Sequence, residues 1–179
     1  MFTWGASDPA RAGAPLIKRA EGVYLYGHDG KQYLDWTSQA VCTNLGYTVP
    51  TQVQEAVSQQ LSELPFVYSG LAMTAPRARL SNLLAELIPG DINGFIFPSS
   101  GAEANECAIR MARRFTGRQK IMSRYRSYHG GTTATLTATG DFRRWFAEQG
   151  QSGFVKIADP NPFGFQWGDT EEEAGERAL

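Results

Sequence analysis

The stretch of sequence that decides the fold reads FPSSGAEANE and occupies residues 97–106. Its first residue, Phe97, ends a short apolar run, FIF at 95–97, which predicts a buried strand. A helical pattern then continues to residue 115, and Gly117 lies just past its end, where glycine is favoured. The apolar face of this helix consists of Ala104, Ala108, Met111 and Phe115. With a second strand at 120–123, the order predicts a βαβ unit and an α/β domain with a largely parallel sheet.

The turn between the first strand and the helix is a candidate anion site. Backbone N–H groups at the start of a helix point outward at the positive end of its dipole, and phosphate is the usual ligand there. Ser100 would add a hydroxyl donor, and Gly101 would permit close approach to the backbone. The same residues also fit an ordinary N-cap in which Ser99 or Ser100 closes the first turn. The turn by itself leaves both interpretations open.

A second loop, SYHGG at 127–131, follows the second strand. In an open parallel sheet, ligands bind outside the carboxyl ends of the strands, so we expect this loop to face the same crevice as the turn. Tyr128 suits a flat heteroaromatic cofactor that needs a stacking surface. The alternatives are a core aromatic for Tyr128 and a hydrogen-bonded loop residue for His129. No second ligand stands near His129 in the sequence, so we predict no metal site.

Further elements flank this unit along the chain. Alternating residues around Asp29-Gly30 predict a β-hairpin with strands at 23–26 and 32–34. A helix is predicted from Pro50 with apolar residues at 53, 57, 61 and 64, and another from Pro76 with apolar residues at 80, 83, 84 and 87. The pattern also predicts a strand at 154–157 and a helix opening at Thr170, which three glutamates follow.

Composition excludes several classes of function. The 179 residues carry a net charge of -1, which gives no electrostatic basis for binding nucleic acid or an anionic membrane. No apolar run approaches the roughly 20 residues of a membrane helix, and the first eight residues lack the layout of a signal peptide. Cys42 and Cys107 fit no metal or redox pattern, so we expect reduced thiols in the cytoplasm or another reducing compartment.

Taken together, these motifs resemble the class III (ω- and subgroup II) aminotransferases of pyridoxal phosphate (PLP) fold type I. The resemblance rests on SGAEANE at 100–106, AIRMAR at 108–113, TGRQKI at 116–121, SYHG at 127–130, GKQYLD at 30–35 and NLGY at 44–47. It covers nearly the whole chain in the correct order. It implies an N-terminal segment at 1–70, with small-domain and dimer contacts, and the first part of the large PLP-binding domain at 71–179. Tyr47 and Ser99 depart from residues that are frequent in relatives, which weakens any inference about the substrate.

The resemblance also implies a role for individual residues. Ser100, Gly101 and Ala102 would hold the PLP phosphate, which favours the anion-site interpretation of the turn. Tyr128 would stack on the pyridine ring, and His129 would support its loop. The segments that contain Val41 and Tyr68 would line the substrate pocket.

The implied activity is transfer of an amino group from an ω-amine or amino acid to a keto acid such as pyruvate, in a full-length homodimer. The lysine that forms the Schiff base is expected after Leu179, so we expect the chain to be an inert, truncated fragment. The lysines present, Lys18, Lys31, Lys120 and Lys156, are interpreted as solvated surface residues. The alternatives are a glutamate-1-semialdehyde aminomutase-like isomerase and a short non-catalytic binding or dimerising protein. A Rossmann nucleotide binder does not fit, because no G-x-G-x-x-G follows Phe97.

Overall fold

The computed structural model describes residues 15–147, 150–159 and 168–178. The first eight residues, on which the signal-peptide expectation rests, lie outside the described residues. So does Leu179, after which the Schiff-base lysine is expected. The chain divides into two compact units, Met1–Asn93 and Gly94–Leu179, and each is described by itself. The division at residue 70 that the family resemblance implies stays a prediction.

The first unit begins with a three-stranded antiparallel sheet made of β1 (Ile17–Glu21), β2 (Tyr24–Gly27) and β3 (Gln32–Leu34). Leu25 pairs with Tyr33 in the predicted hairpin. Gly30, with φ of 80°, supplies the left-handed conformation that the turn requires. The hairpin prediction is therefore confirmed. Strand β1 was not predicted, because its sequence IKRAE has no run or alternation of apolar residues.

The segment after the hairpin is tied back to the sheet. The Tyr47 hydroxyl donates to Asp35 Oδ2 at 2.7 Å, and this hydrogen bond holds the pKa of the Asp35 carboxyl below its usual value. The Tyr47 N–H donates to Gly22 O at 2.7 Å. Between these anchors, the short turn α1 (Ser38–Val41) has positive φ values throughout, from 51° to 66°, a conformation that non-glycine residues adopt rarely.

Two longer helices complete the described part of this unit, α2 (Thr51–Glu63) and α3 (Ala75–Leu87). A proline stands at or next to the start of each, as predicted. Their apolar side chains, including Val57, Leu61 and Leu83, are exposed. No helix of the described residues is long and apolar enough to cross a membrane.

The second unit contains α4 (Gly101–Thr116), β4 (Ile121–Arg124), α5 (Thr133–Ala138), a 3-10 helix (Phe142–Phe146), β5 (Phe154–Ile157) and α6 (Glu171–Ala178). Strands β4 and β5 are parallel, with Ile121 opposite Phe154. The predicted helix at 102–115 and the strands at 120–123 and 154–157 are confirmed, as is the α/β class. The helix after Thr170 is also present, and the Thr170 hydroxyl accepts the Glu173 N–H.

The predicted buried strand at 95–97 is wrong. These residues form no ladder with any described strand, and 61% of Ile96 is exposed. A strand depends on a pairing partner, which three apolar residues in sequence do not specify. The βαβ unit of this structure is accordingly β4–α5–β5, which begins at the second strand of the predicted unit.

Most of the buried residues of the described chain lie around α5. Ala134, Thr135, Ala138, Thr139 and Ser123 are all buried, Thr135 and Thr139 completely. Three of these five residues carry hydroxyl groups, so this core is small and partly polar. Polar groups in such a core must be hydrogen-bonded to one another, and their hydrogen bonds lead to the candidate site.

Candidate functional site

The N-terminus of α4 has the geometry of an anion site and of a capped helix at once. Ser100 is extended (φ −154°, ψ 161°), and its hydroxyl oxygen accepts the Glu103 N–H at 3.2 Å. The N–H groups of Gly101 and Ala102 have no intrahelical acceptor at this position, and none is present among the described residues. A Cβ placed on Gly101 would meet nothing within 4 Å. Two N–H groups and an open approach therefore remain available to a ligand.

The Ser100 cap does not compete with anion binding. A hydroxyl group has one proton to donate and two lone pairs, and the bond from Glu103 N–H occupies only one lone pair. Glu103 in turn reaches back, and its Oε2 accepts the Ser99 N–H at 2.7 Å. This reciprocal arrangement fixes the turn in the manner of a capping box. The two interpretations of the turn that the sequence left open are compatible.

The structure brings the loop of Tyr128 and His129 against this turn. Gly130 is buried with φ of 136°, and a Cβ on it would lie 2.7 Å from Ala102 Cβ. The side chain of Asn105 donates from Nδ2 to His129 O at 2.8 Å, so α4 also holds the loop backbone directly. The two segments that the sequence predicted at one crevice are thus in contact.

A second set of hydrogen bonds connects α4 with α5. Glu106 Oε1 accepts the Thr132 hydroxyl at 2.6 Å and the Ala134 N–H at 3.2 Å, so a carboxylate sits at the positive end of α5. Thr132 and Thr135 form a capping box at the same end. The sequence motif contains Asn105 and Glu106 without indicating a role for them, and the structure shows that they hold the loop and α5 onto α4.

Tyr128 presents an exposed ring, with 52% of the residue accessible. The Arg143 guanidinium lies over this ring, 4.9 Å from its centroid, at a distance typical of a cation–π contact. Arg143 also forms an ion pair with Asp141, which caps the 3-10 helix. Tyr128 is therefore not a core aromatic, and its stacking on a cofactor stays a prediction.

His129 is half-buried, and its backbone N–H donates to the Thr139 hydroxyl at 3.0 Å. Burial lowers the pKa of the His129 imidazole, and the positive charges of Lys156 and Arg124 lower it further. The neutral form is thereby favoured. The backbone of His129 is thus hydrogen-bonded within its loop, and the role of its side chain at a cofactor site stays a prediction.

Lys156 is not the solvated surface residue that the sequence predicted. Its ammonium donates to Ser123 Oγ at 2.8 Å, to Thr139 O at 2.9 Å and to Ala138 O. Burial, with a contribution from Arg144, lowers the pKa of the amine to about 8. The acceptors are far from Lys156 in sequence, so no local pattern could indicate them. Lys18, Lys31 and Lys120 are exposed, as expected.

Val41 and Tyr68, the expected substrate-pocket residues, belong to the unit Met1–Asn93. Val41 ends the left-handed turn α1 and is 84% exposed, and Tyr68 follows α2 and is 62% exposed. The Tyr68 ring lies against Gly70, where a Cβ would overlap it. Both side chains are accessible, and their role in a substrate pocket stays a prediction.

The sequence profile of the Aminotransferase class-III family matches residues 8–179 of the chain. The chain belongs to this family. An uncharacterized aminotransferase of Bacillus subtilis is 38% identical over 169 residues, which is 90% of this chain and 37% of that protein. The putrescine–pyruvate aminotransferase of Pseudomonas aeruginosa is 34% identical over 163 residues, covering 85% of this chain and 35% of the relative.

Solved structures of class III aminotransferases have the same fold. A taurine:2-oxoglutarate aminotransferase of Bifidobacterium kashiwanohense, in complex with PLP and glutamate, has a TM-score of 0.77 and 38% identity over 84% of this chain and 34% of its own. An (S)-enantioselective ω-transaminase of Thermomicrobium roseum has a TM-score of 0.86 and 33% identity over 97% of this chain and 41% of its own. The expected PLP fold type I is therefore confirmed. The chain spans between 34% and 41% of the length of these relatives.

Proposed function

We propose that the protein with this sequence is a PLP-dependent aminotransferase and that the α4 N-terminus, Ser100, Gly101 and Ala102, binds the phosphate of its cofactor. Class III aminotransferases use PLP, which supplies the electron sink for amino-group chemistry when it is bound. The single observation that carries the proposal is the contact between the turn and the Tyr128 loop at Ala102 and Gly130. This contact supports the proposal because Gly130 follows Tyr128 in the same loop, so a phosphate at the turn would lie near the segment that carries the aromatic ring.

Each residue has a distinct task in this proposal. The Gly101 and Ala102 N–H groups and the Ser100 hydroxyl would donate to the phosphate, at a helix end whose dipole favours negative charge. Tyr128 would orient the pyridine ring by stacking on one face. Arg143 covers the opposite face of Tyr128, and His129 holds the loop through its backbone bonds to Asn105 and Thr139.

For the reaction, we propose transfer of an amino group from an ω-amine or amino acid to a keto acid such as pyruvate, by a homodimer of the full-length protein. Support comes from the names of relatives, one a putrescine–pyruvate aminotransferase and another a taurine:2-oxoglutarate aminotransferase. Val41 and Tyr68 are proposed to contact the substrate. An aminomutase is less favoured because the Bacillus subtilis and Pseudomonas aeruginosa relatives are both named as aminotransferases.

We further propose that the 179-residue chain alone is inert. Three of its four lysines are exposed, and Lys156 donates to three protein acceptors. None of the four therefore combines a desolvated position with an amine that is free to form a Schiff base. To test this, the chain and the natural-length protein are each mixed with PLP, putrescine or taurine, and pyruvate or 2-oxoglutarate. Borohydride then traps any lysine adduct for mass spectrometry.

We expect amino transfer and a single borohydride-trapped lysine in the natural-length protein. The chain alone should show no amino transfer and no trapped lysine. Stoichiometric trapping on Lys156 together with amino transfer would contradict the assignment of inactivity. Failure of the natural-length protein to bind PLP would contradict the proposed function as a whole.

A further inference from the structure

Lys156 fills an unusual position for a lysine in a β-strand. It lies in β5, yet its ammonium contacts the side chain of Ser123 in β4 and the carbonyl groups of Ala138 and Thr139. An ammonium has three N–H donors, and three acceptors surround this one. The lysine therefore satisfies three polar groups in the best-buried part of the described chain.

Two of those acceptors belong to the C-terminal end of α5. The last carbonyl groups of a helix have no intrahelical partner, and a cation is favourable at that end of the dipole. Ser123 is 8% exposed and Thr139 is fully buried, so water has little access to them. Without the lysine, these carbonyl groups would be left largely unsatisfied, which is costly in a buried position.

The end of α5 in turn holds the loop of Tyr128 and His129. The Thr139 hydroxyl accepts the His129 N–H at 3.0 Å and donates to Thr135 O at 2.9 Å. Gly140 N–H donates to Ser127 O at 2.8 Å, and Gly140 O accepts the Arg126 N–H at 3.1 Å. Three hydrogen bonds thus run from residues 139 and 140 to the loop that precedes Gly130.

We propose that Lys156 is a positioning residue of the cofactor site: by binding the C-terminal end of α5 it fixes Thr139, and through Thr139 it fixes the backbone of the Tyr128–His129 loop. This inference rests on the proposed function for its effect on PLP. Its structural part, the effect of Lys156 on the loop, stands without the cofactor. The Lys156 charge contributes to the lowered pKa of His129, as expected if the Lys156 ammonium lies close to the Tyr128–His129 loop.

The test is a double-mutant cycle in the natural-length protein, read out by PLP affinity. Lys156→Met removes the ammonium, and Thr139→Val removes the hydroxyl while keeping the shape of the side chain. Each is expected to weaken PLP binding about tenfold, and the double variant should also lose about tenfold, because both break one chain of contacts. Lys156→Arg, which keeps a cation with several donors, should restore most of the affinity.

Lys120→Met is the matched control, because Lys120 is exposed and lies just before β4. It should leave PLP affinity within about twofold of the unchanged protein. If Lys156→Met does not fold, Ser123→Ala replaces it in the cycle. That variant removes one acceptor and no charge, and we expect a smaller loss of affinity that is again non-additive with Thr139→Val.

A second readout needs no cofactor. The chain has two histidines, so a His28→Gln variant assigns the His129 imidazole signal by NMR. Lys156→Met should raise the pKa of His129 and speed amide exchange at residues 127–129, whereas Lys156→Arg should do neither. A variant that only lowered global stability would leave the native-state titration of His129 unchanged.

The outcomes separate the two proposals. Additive losses in the cycle, or an unchanged His129 titration in a folded Lys156→Met protein, would overturn the role of Lys156 while leaving PLP binding intact. Absence of PLP binding in the unchanged protein would overturn the proposed function, and the titration and exchange data would still test Lys156.

Discussion

Gly130 lies directly against Ala102, so close that a Cβ on the glycine would stand 2.7 Å from that of the alanine. This contact joins the loop after β4 to the N-terminus of α4, two segments that are more than twenty residues apart in sequence. The space is available only because residue 130 has no side chain. Its φ of 136° also falls where other residues are strained.

The first prediction is that Gly130→Ala separates the loop from the helix. The added Cβ would overlap Ala102 and lie 2.6 Å from Thr135 Oγ1, so we expect a loss of about 1–3 kcal/mol in the free energy of unfolding, from strain and overpacking. PLP affinity should fall as well. Urea denaturation and PLP titration measure the two effects, and a fully stable variant with normal affinity would show that the contact is not needed.

The second prediction concerns the hydroxyl of Ser100. Ser100→Ala would remove the proposed charge-assisted hydrogen bond to phosphate, so PLP affinity should fall by about 1.5–3 kcal/mol. It also removes the acceptor of the Glu103 N–H, which should cost about 1 kcal/mol of unfolding free energy.

Two further variants separate these effects. Ser100→Asp keeps a cap acceptor but adds a negative charge, so stability should be retained while PLP affinity falls. Ser99→Ala is the control, because Ser99 contributes its backbone N–H to the turn. If Ser100→Asp bound PLP normally, the phosphate would not lie at this turn.

The third prediction is a pH dependence that originates at Lys156. Its pKa is about 8 in the folded chain against 10.5 ordinarily, so between these values the unfolded chain binds more protons. The contribution of Lys156 to the free energy of unfolding therefore rises with pH across this window, and it is lost as pH falls toward 8. Arg144 lowers the pKa of Lys156 further, and the Lys156 charge in turn acts on His129.

Denaturation curves at about pH 7.5 and about pH 9.5 test this dependence. For Lys156→Met, the free energy of unfolding should increase less between the two pH values than it does for the unchanged protein. For Lys120→Met, the increase should equal that of the unchanged protein. Equal increases in all three proteins would mean that the folded state does not shift the lysine.

The fourth prediction is that the isolated chain self-associates at micromolar concentration. Val57 and Leu61 on α2 are exposed, as are Leu80 and Leu83 on α3, and β4 and β5 pair only with one another among the described strands. Exposed apolar faces and unpaired edges favour association. Light scattering should show smaller particles for a Val57→Glu, Leu61→Glu variant, but not for Gln52→Glu on the polar side of α2. A cooperative, monomeric melt of the unchanged chain would contradict this.

The sequence predicted elements that local signals specify. Helix α4 has a serine cap, an apolar face and Gly117 at its end, and the hairpin has Asp29-Gly30 between alternating strands. Helix α5 was missed because its sequence TATLTA offers six residues with a threonine capping box and no apolar stripe. The strand at 95–97 was wrong because pairing is a long-range property, and apolar character alone does not supply a partner.

For the candidate site, the sequence predicted two segments, Ser100–Ala102 by turn chemistry and Tyr128–His129 by position after a strand, and the structure brings these segments into contact. It did not identify what holds them together. Asn105 and Glu106 form hydrogen bonds with residues 129, 132 and 134. Lys156 donates hydrogen bonds to acceptors at residues 123, 138 and 139. These contacts join residues 17 to 33 positions apart, and a single sequence carries no local signal for them.

The most direct test of the central claim is Gly101→Ala, measured for stability and for PLP affinity in parallel. No atom beyond the local helix backbone lies within 4 Å of a Cβ at this position, and φ is not in the left-handed region. Because alanine is the better helix former, the free energy of unfolding should be unchanged or raised by up to about 1 kcal/mol. A phosphate bound close to the Gly101 N–H would meet the new methyl group, so PLP affinity should fall about tenfold or more. Gly94→Ala, at a position equally uncrowded, is the control for both measurements. Unchanged PLP affinity in a folded Gly101→Ala protein would contradict the assignment of the α4 N-terminus as the phosphate site.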